Sequence, residues 1–195
     1  ALTKGEAEYV SCFGSGTIRK ELQDHYNSPF AVESTHIKFR NSDLCAHVYR
    51  SLFNTARQYR ESFEVYGSKK SVEWPLIKGK PLIVHTAKRP EAKIPEEVHS
   101  PDYAHLLPEA IQRFTTKGVY DTDDHQHLFF IQGGGHGGSH QHLVHEFVSS
   151  LVSGKVPFPN ARQSANITCV GILAHDSAMQ GGKQIYLPEF TLSSI

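Results

Sequence analysis

An α+β fold, a largely antiparallel open-faced sheet with helices packed on one face, is predicted by three features of this 195-residue sequence. The first two thirds are built from short segments of alternating polarity, which make sequential strands that pair antiparallel. The last third holds two long segments with apolar residues at spacings of three and four, the signature of helices laid on a surface. Most glycines and prolines fall between these segments. The length suits a single domain, residues 1–195, with a hydrophobic core that needs no disulfide or metal staple.

Each element follows from local pattern. Residues 32–39 alternate, with Val32, Ser34, His36 and Lys38 on one side and Glu33, Thr35, Ile37 and Phe39 on the other, so one face of a strand points inward. Further strands are expected at 46–55, 62–66, 71–76 and 82–87, with Gly67-Ser68-Lys69-Lys70 as a hairpin connection. Pro90, Pro95 and Pro101 lie in a charged stretch that reads as a surface excursion at about 88–101, because proline cannot donate to a ladder. One or two short helices are expected within 104–115, a strand at 128–132, and helices at 140–153 and about 161–180. The first long helix carries Leu143, Val144, Phe147, Val148, Leu151 and Val152 as a stripe predicted to lie on a sheet. The second presents Ile167, Val170, Leu173, Ala174 and Ala178, and Gly181-Gly182 provides its C-terminal stop before a last strand at 184–188.

Composition excludes several classes of function. Lysine plus arginine equals aspartate plus glutamate at 20 each with no basic stripe, so neither nucleic acid nor an anionic membrane is indicated. No apolar run approaches the roughly eighteen residues of a membrane span, and no signal-peptide pattern opens the chain. Cys12, Cys45 and Cys169 are widely spaced and odd in number, which predicts free thiols, a reducing compartment and a cytoplasmic location, with no structural zinc. The expected partner is a small molecule or another subunit.

The chemistry gathers at residues 127–147. Five glycines occupy the six positions 133–138, a density that lets backbone approach another surface closely, and a helix with a serine at its start follows. The run satisfies GxGxxG at Gly133, Gly135 and Gly138, but the acidic residue expected about twenty positions later is replaced by Val156-Pro157-Phe158-Pro159-Asn160, so a dinucleotide fingerprint is not assigned. His125, His127, His136, His140, His142 and His145 lack HExxH or facial-triad spacing, and no metal site is assigned. His142 and His145 read as exposed helix histidines. His136 in the glycine knot, with Gly137, and Ser139 and His140 at the helix start are the candidate substrate contacts. There the unpaired N–H groups of a first helical turn favour an oxygen-rich ligand such as a polyol or sugar acid. Ser139 is the expected N-cap.

The ordered series Gly134-Gly135-His136-Gly137-Gly138-Ser139-His140, Leu143-Val144-His145-Glu146-Phe147-Val148, Asn166-Ile167-Thr168-Cys169-Val170-Gly171-Ile172, Ala174-His175-Asp176-Ser177-Ala178-Met179, Gly181-Gly182 and Leu187-Pro188-Glu189-Phe190 resembles the C-terminal end of Gfo/Idh/MocA-type oxidoreductases. Residues 59–73 are similar to the strand, hairpin and strand that these proteins carry earlier in the same domain. The resemblance implies a substrate-binding and subunit-contact domain whose N-terminal Rossmann partner is absent from this sequence. NAD or NADP would be bound mainly by that missing domain, with no cofactor expected in this chain alone. The substrate would be a sugar, inositol or related polyol, and the protein would form a homo-oligomer through the open sheet face, along the row of Val32, Ser34 and His36 or their partners. No catalytic residue is carried over, since the family's dinucleotide, Glu-Lys-Pro and catalytic aspartate and histidine motifs precede the matched region. Three alternatives stay open: an NAD-assisted glycosidase or epimerase of the same superfamily, a non-catalytic scaffold, and a metal-dependent hydrolase.

Overall fold

In a computed structural model the chain is described for residues 5–51, 56, 61–77, 79–87, 95–99, 101–115 and 139–190. The elements in chain order are β1 (Ala7–Ser15), α1 (Lys20–Tyr26), β2 (Val32–Phe39), β3 (Cys45–Ser51), β4 (Lys70–Glu73), β5 (Leu82–Thr86), β6 (Glu96–Val98), α2 (Glu109–Gln112), α3 (Ser139–Ser153), α4 (Ala161–Met179) and β7 (Ile185–Tyr186). Short 3-10 turns at Ala104–Leu106 and Arg113–Thr115 flank α2. The chain divides into two units, one of Ala1–Tyr59 with Val156–Ile195 and one of Arg60–Lys155.

In the first unit the sheet order is β3-β2-β1-β7, with every pairing antiparallel. The alternation of β2 buries Glu33, Thr35 and Ile37 and leaves His36 exposed, as its sequence pattern predicts. Register sets Val10 opposite Ile37 and Cys12 opposite Thr35, so the buried rows of β1 and β2 join into one surface. α4 lies on that surface. Val170, Leu173 and Cys169 pack on Ala7, Val10, Ile37 and Leu187, while Ala174 and Ala178 pack on Cys12.

Two polar side chains tie α4 to β1. Asn166 accepts from the Ala7 N–H at 2.9 Å and donates to the Ala7 carbonyl at 3.1 Å, at the point where a register shift between Ala7 and Tyr9 interrupts the ladder. Three turns on, the Ser177 hydroxyl accepts from the Cys12 N–H at 2.9 Å and donates to the Lys183 carbonyl at 2.6 Å. Buried polar groups are tolerated when bonded in this way. The helix starts at a reciprocal cap, Gln163 N–H to Asn160 Oδ1 and Asn160 N–H to Gln163 Oε1. It stops where the Gly182 N–H reaches the Ser177 carbonyl and the Gly181 N–H reaches that of Ala178, with φ of 94° and 69° at the two glycines.

In the second unit β4, β5 and β6 form a three-stranded antiparallel sheet. The connection around Gly67 is a hairpin, as expected, closed by the paired bonds of Val65 and Val72. The Phe63 ring packs on Trp74 with centroids 5.0 Å apart.

Four expectations need correction. No strand spans 62–66; Val65 makes an isolated bridge to Val72, and the residues before it have no strand to pair with among those described. The 88–101 excursion contains β6, which pairs with β5; Pro95 precedes the strand, so its missing N–H costs the ladder nothing. The apolar stripe of α3 faces outward, from 48% exposed at Val148 to 85% at Val152. Periodicity identifies an apolar face but not what lies against it. Ile167 likewise turns outward, because α4 centres its inward face on Asn166 and Ser177. The strand expected at 128–132 lies outside the described residues.

Candidate functional site

Of the four candidate substrate contacts, His136 and Gly137 lie outside the described residues. Ser139 and His140 form the start of α3, and both are exposed. Ser139 is the first helical residue rather than the cap before it, a shift of one position of the kind that helix ends commonly show. Ser139 and His140 open α3, at the positive end of its dipole, where oxygen ligands are favoured.

The sides of α3 are reversed relative to the sequence reading. Gln141, His142, His145 and Ser149 are half-buried, whereas Leu143, Val144, Phe147, Val148, Leu151 and Val152 are exposed. His145 Nε2 lies 3.5 Å from the Ser149 hydroxyl one turn on. Among the described residues Gln141 Oε1 is buried without a hydrogen-bond partner. His142 and His145 are half-buried, where the sequence predicts exposed helix histidines. Among the described residues no group of three or more His, Cys, Asp or Glu is placed to hold a metal ion.

A second polar cluster, in the first unit, escaped the sequence reading. Glu33 belongs to the inward row of β2, and its side chain is 7% exposed. Its Oε1 accepts from His175 Nδ1 at 2.7 Å and from the Ser28 hydroxyl at 3.5 Å, while Arg50 Nη1 stands 3.5 Å from Oε2. A carboxylate taken out of water needs such partners. The signal was present: Glu33 is an acidic residue at the parity of Thr35 and Ile37, and its cross-strand partner in β3 is Arg50. Beside it Cys12 is buried, with the Thr35 hydroxyl donating to its Sγ at 3.2 Å. Burial, chiefly, pushes the Cys12 thiol above its ordinary pKa, and the negative charge of Glu33 adds to this against the hydrogen bond from Thr35.

The opposite face of the first sheet has a different character. Tyr9, Ser11 and Phe13 of β1 share it with Ser34 and His36 of β2, His47 and Tyr49 of β3 and Tyr186 of β7. Phe13, Tyr49 and Tyr186 are exposed there. The rings of His36 and His47 stack at 4.2 Å, and His47 Nε2 shares a hydrogen bond of 2.9 Å with the Ser34 hydroxyl.

Every strand pairing among the described residues is antiparallel, so they form no parallel βαβ unit of the kind that cradles a dinucleotide. No helix among them is long and apolar enough to cross a membrane.

No family model matches the chain, and no curated protein matches it by sequence. Solved structures do share its fold. An NAD binding oxidoreductase from Klebsiella pneumoniae superposes with a TM-score of 0.61 at 13% identity, over 94% of this chain and 46% of that one. A levoglucosan dehydrogenase, solved in complex with NADH and levoglucosan, superposes with a TM-score of 0.60 at 18% identity, over 95% of this chain and 46% of that one. The chain thus has the fold of part of an NAD-binding oxidoreductase, and it spans about half the length of the structures it matches.

Proposed function

We propose that this chain is the substrate-binding and subunit-contact domain of an NAD(P)-dependent dehydrogenase acting on a sugar, inositol or related polyol. The observation that carries the reading is the shared fold with two NAD-binding oxidoreductases, each matched over 46% of its length. One of them was solved with a sugar-derived ligand, levoglucosan, beside NADH, which supports the same substrate class here. The sequence series from Gly134 to Phe190 agrees with that superfamily. In this reading the part of the protein that holds the nicotinamide is an N-terminal Rossmann domain. The cofactor, when bound, accepts hydride from a carbon bearing a hydroxyl group.

The residues of this chain orient the substrate. His136, Gly137, Ser139 and His140 would contact polyol hydroxyls at the start of α3, where backbone N–H groups and an imidazole supply donors without a permanent charge. Holding the reacting carbon against the nicotinamide is itself a catalytic contribution, because it replaces a bimolecular encounter by a fixed geometry. The outward stripe of α3 suits contact with the Rossmann domain. The aromatic face of the first sheet suits a second copy of the chain.

The test is substrate kinetics on the two-domain protein carrying His136→Ala or His140→Ala. A raised KM or lowered kcat toward the preferred polyol is expected, by about tenfold for each lost hydrogen bond. Unchanged kinetics for both variants would remove the loop and helix start from the substrate site.

A further inference from the structure

The open face of the first sheet carries almost no net charge. Among the described residues its titratable and charged side chains are Glu8 and Tyr9 from β1, His36 and Lys38 from β2, Cys45, His47 and Tyr49 from β3 and Tyr186 from β7; the register shift between Ala7 and Tyr9 leaves Glu8 on this side, opposite Lys38, so one carboxylate and one ammonium offset each other. Ser11 lies opposite His36, and Ser34 bonds His47. Just beyond β2, Arg40 is already paired with Glu189 at 3.0 Å. A two-fold contact sets each patch against its own copy, so a charged face would repel itself while a neutral aromatic one would not. Exposed Phe13, Tyr49 and Tyr186 add the residue types that interfaces favour.

Within this face His36 and His47 are directly opposite one another, with rings 4.2 Å apart and 17° from parallel. Parallel rings do not aim their nitrogen lone pairs at a common point, so the pair is not arranged as a chelate. It is arranged so that two protonated rings would be stacked like charges. Lys38, next on the same row, is offset by Glu8 at the register shift of β1, so the charge that protonation of the two rings would add is left without a carboxylate of its own among the described residues of the face.

We infer that this face docks on a second copy of the chain and that protonation of the stacked His36–His47 pair releases it. The inference rests on the self-association proposed above and adds its regulation. Docking takes the two imidazoles out of water, which disfavours their charged forms, so the bound state holds fewer protons than the free one. Association is then strongest above the range in which histidine ordinarily titrates and weakens as pH falls through it.

The experiment is sedimentation equilibrium of the full chain at about pH 8 and about pH 5.5, for the unmodified protein and for a His36→Gln, His47→Gln double variant, with circular dichroism verifying the fold at each pH. The unmodified protein is expected to dimerise at the higher pH and to bind itself at least ~10-fold more weakly at the lower, since each linked proton contributes up to about tenfold per pH unit. The double variant is expected to dimerise with a nearly flat pH dependence. A folded dimer with equal affinity at both pH values, or a double variant that keeps the full dependence, would overturn the release and leave self-association standing. A monomer at every pH would overturn the self-association itself.

Discussion

Ser177→Ala removes the polar atom most deeply placed in the contact between α4 and β1. The side chain is 0% exposed, and its hydroxyl both accepts from the Cys12 N–H and donates to the Lys183 carbonyl. Alanine at this position leaves a buried N–H and a carbonyl without partners, while removing too little volume to admit a bulk-like water. An unmet buried donor costs about 1–3 kcal/mol, and the lost carbonyl bond adds about 1 kcal/mol, so a loss of about 2–4 kcal/mol is expected. Against a typical domain stability of about 5–15 kcal/mol this is a large fraction. Urea unfolding followed by circular dichroism measures it directly. With a slope of about 2 kcal/mol per molar, the midpoint should fall by roughly 1–2 M with the slope unchanged. A midpoint shift below about 0.3 M would refute the argument, since it would mean that neither bond contributes net stability.

Other expectations follow from the same packing. Glu33→Ala strips the carboxylate that His175, Arg50 and Ser28 surround and should cost about 3 kcal/mol. Arg50→Ala, whose side chain is half-exposed, should cost less than about 1 kcal/mol in the same titration; equal losses would contradict the burial argument. Thiol reagents at about pH 8 should modify exposed Cys45 first and leave Cys12 protected until unfolding, because burial keeps its thiol protonated. The sign of that shift means the stability Cys12 contributes is present below the ordinary thiol pKa and is lost as pH rises through its elevated value. A Cys12 that reacts as fast as Cys45 in the folded protein would contradict this. Gly182→Ala meets the Phe13 ring at a φ of 94° and should destabilise by about 1–3 kcal/mol. Gly171→Ala, in open space within α4, should stabilise by about 0.5–1 kcal/mol, and thermal melts of the two variants give the comparison.

Local pattern specified local structure well. The alternation of 32–39 gave β2 with its boundaries and its inward row, and the three-and-four spacing with Gly181-Gly182 gave α4 and its stop, because both signals are generated by backbone geometry within a few residues. The polar members of the core were not visible in the same way. Asn166 and Ser177 read as surface residues until the irregular start of β1 and the loop at Lys183 supply their partners. Glu33 was placed on the correct side of its strand, but its acceptance there depends on His175, 142 residues away. The orientation of α3 failed for a related reason: an apolar stripe shows that something should cover it, and the covering surface is not encoded in the stripe. At the candidate site the sequence selected His136, Gly137, Ser139 and His140 from composition and helix-start chemistry. The structure places the last two at an exposed helix start, and the first two lie outside the described residues.

The decisive measurement is turnover by the full-length protein, which by the proposal above joins this chain to a nucleotide-binding half, using NAD and NADP with a panel of sugars, inositols and their acids and following nicotinamide absorbance. Substrate-dependent reduction of the cofactor, weakened by His140→Ala, is the result expected. A protein that binds neither nicotinamide cofactor, or that binds one and reduces it with none of these substrates, would contradict the dehydrogenase assignment.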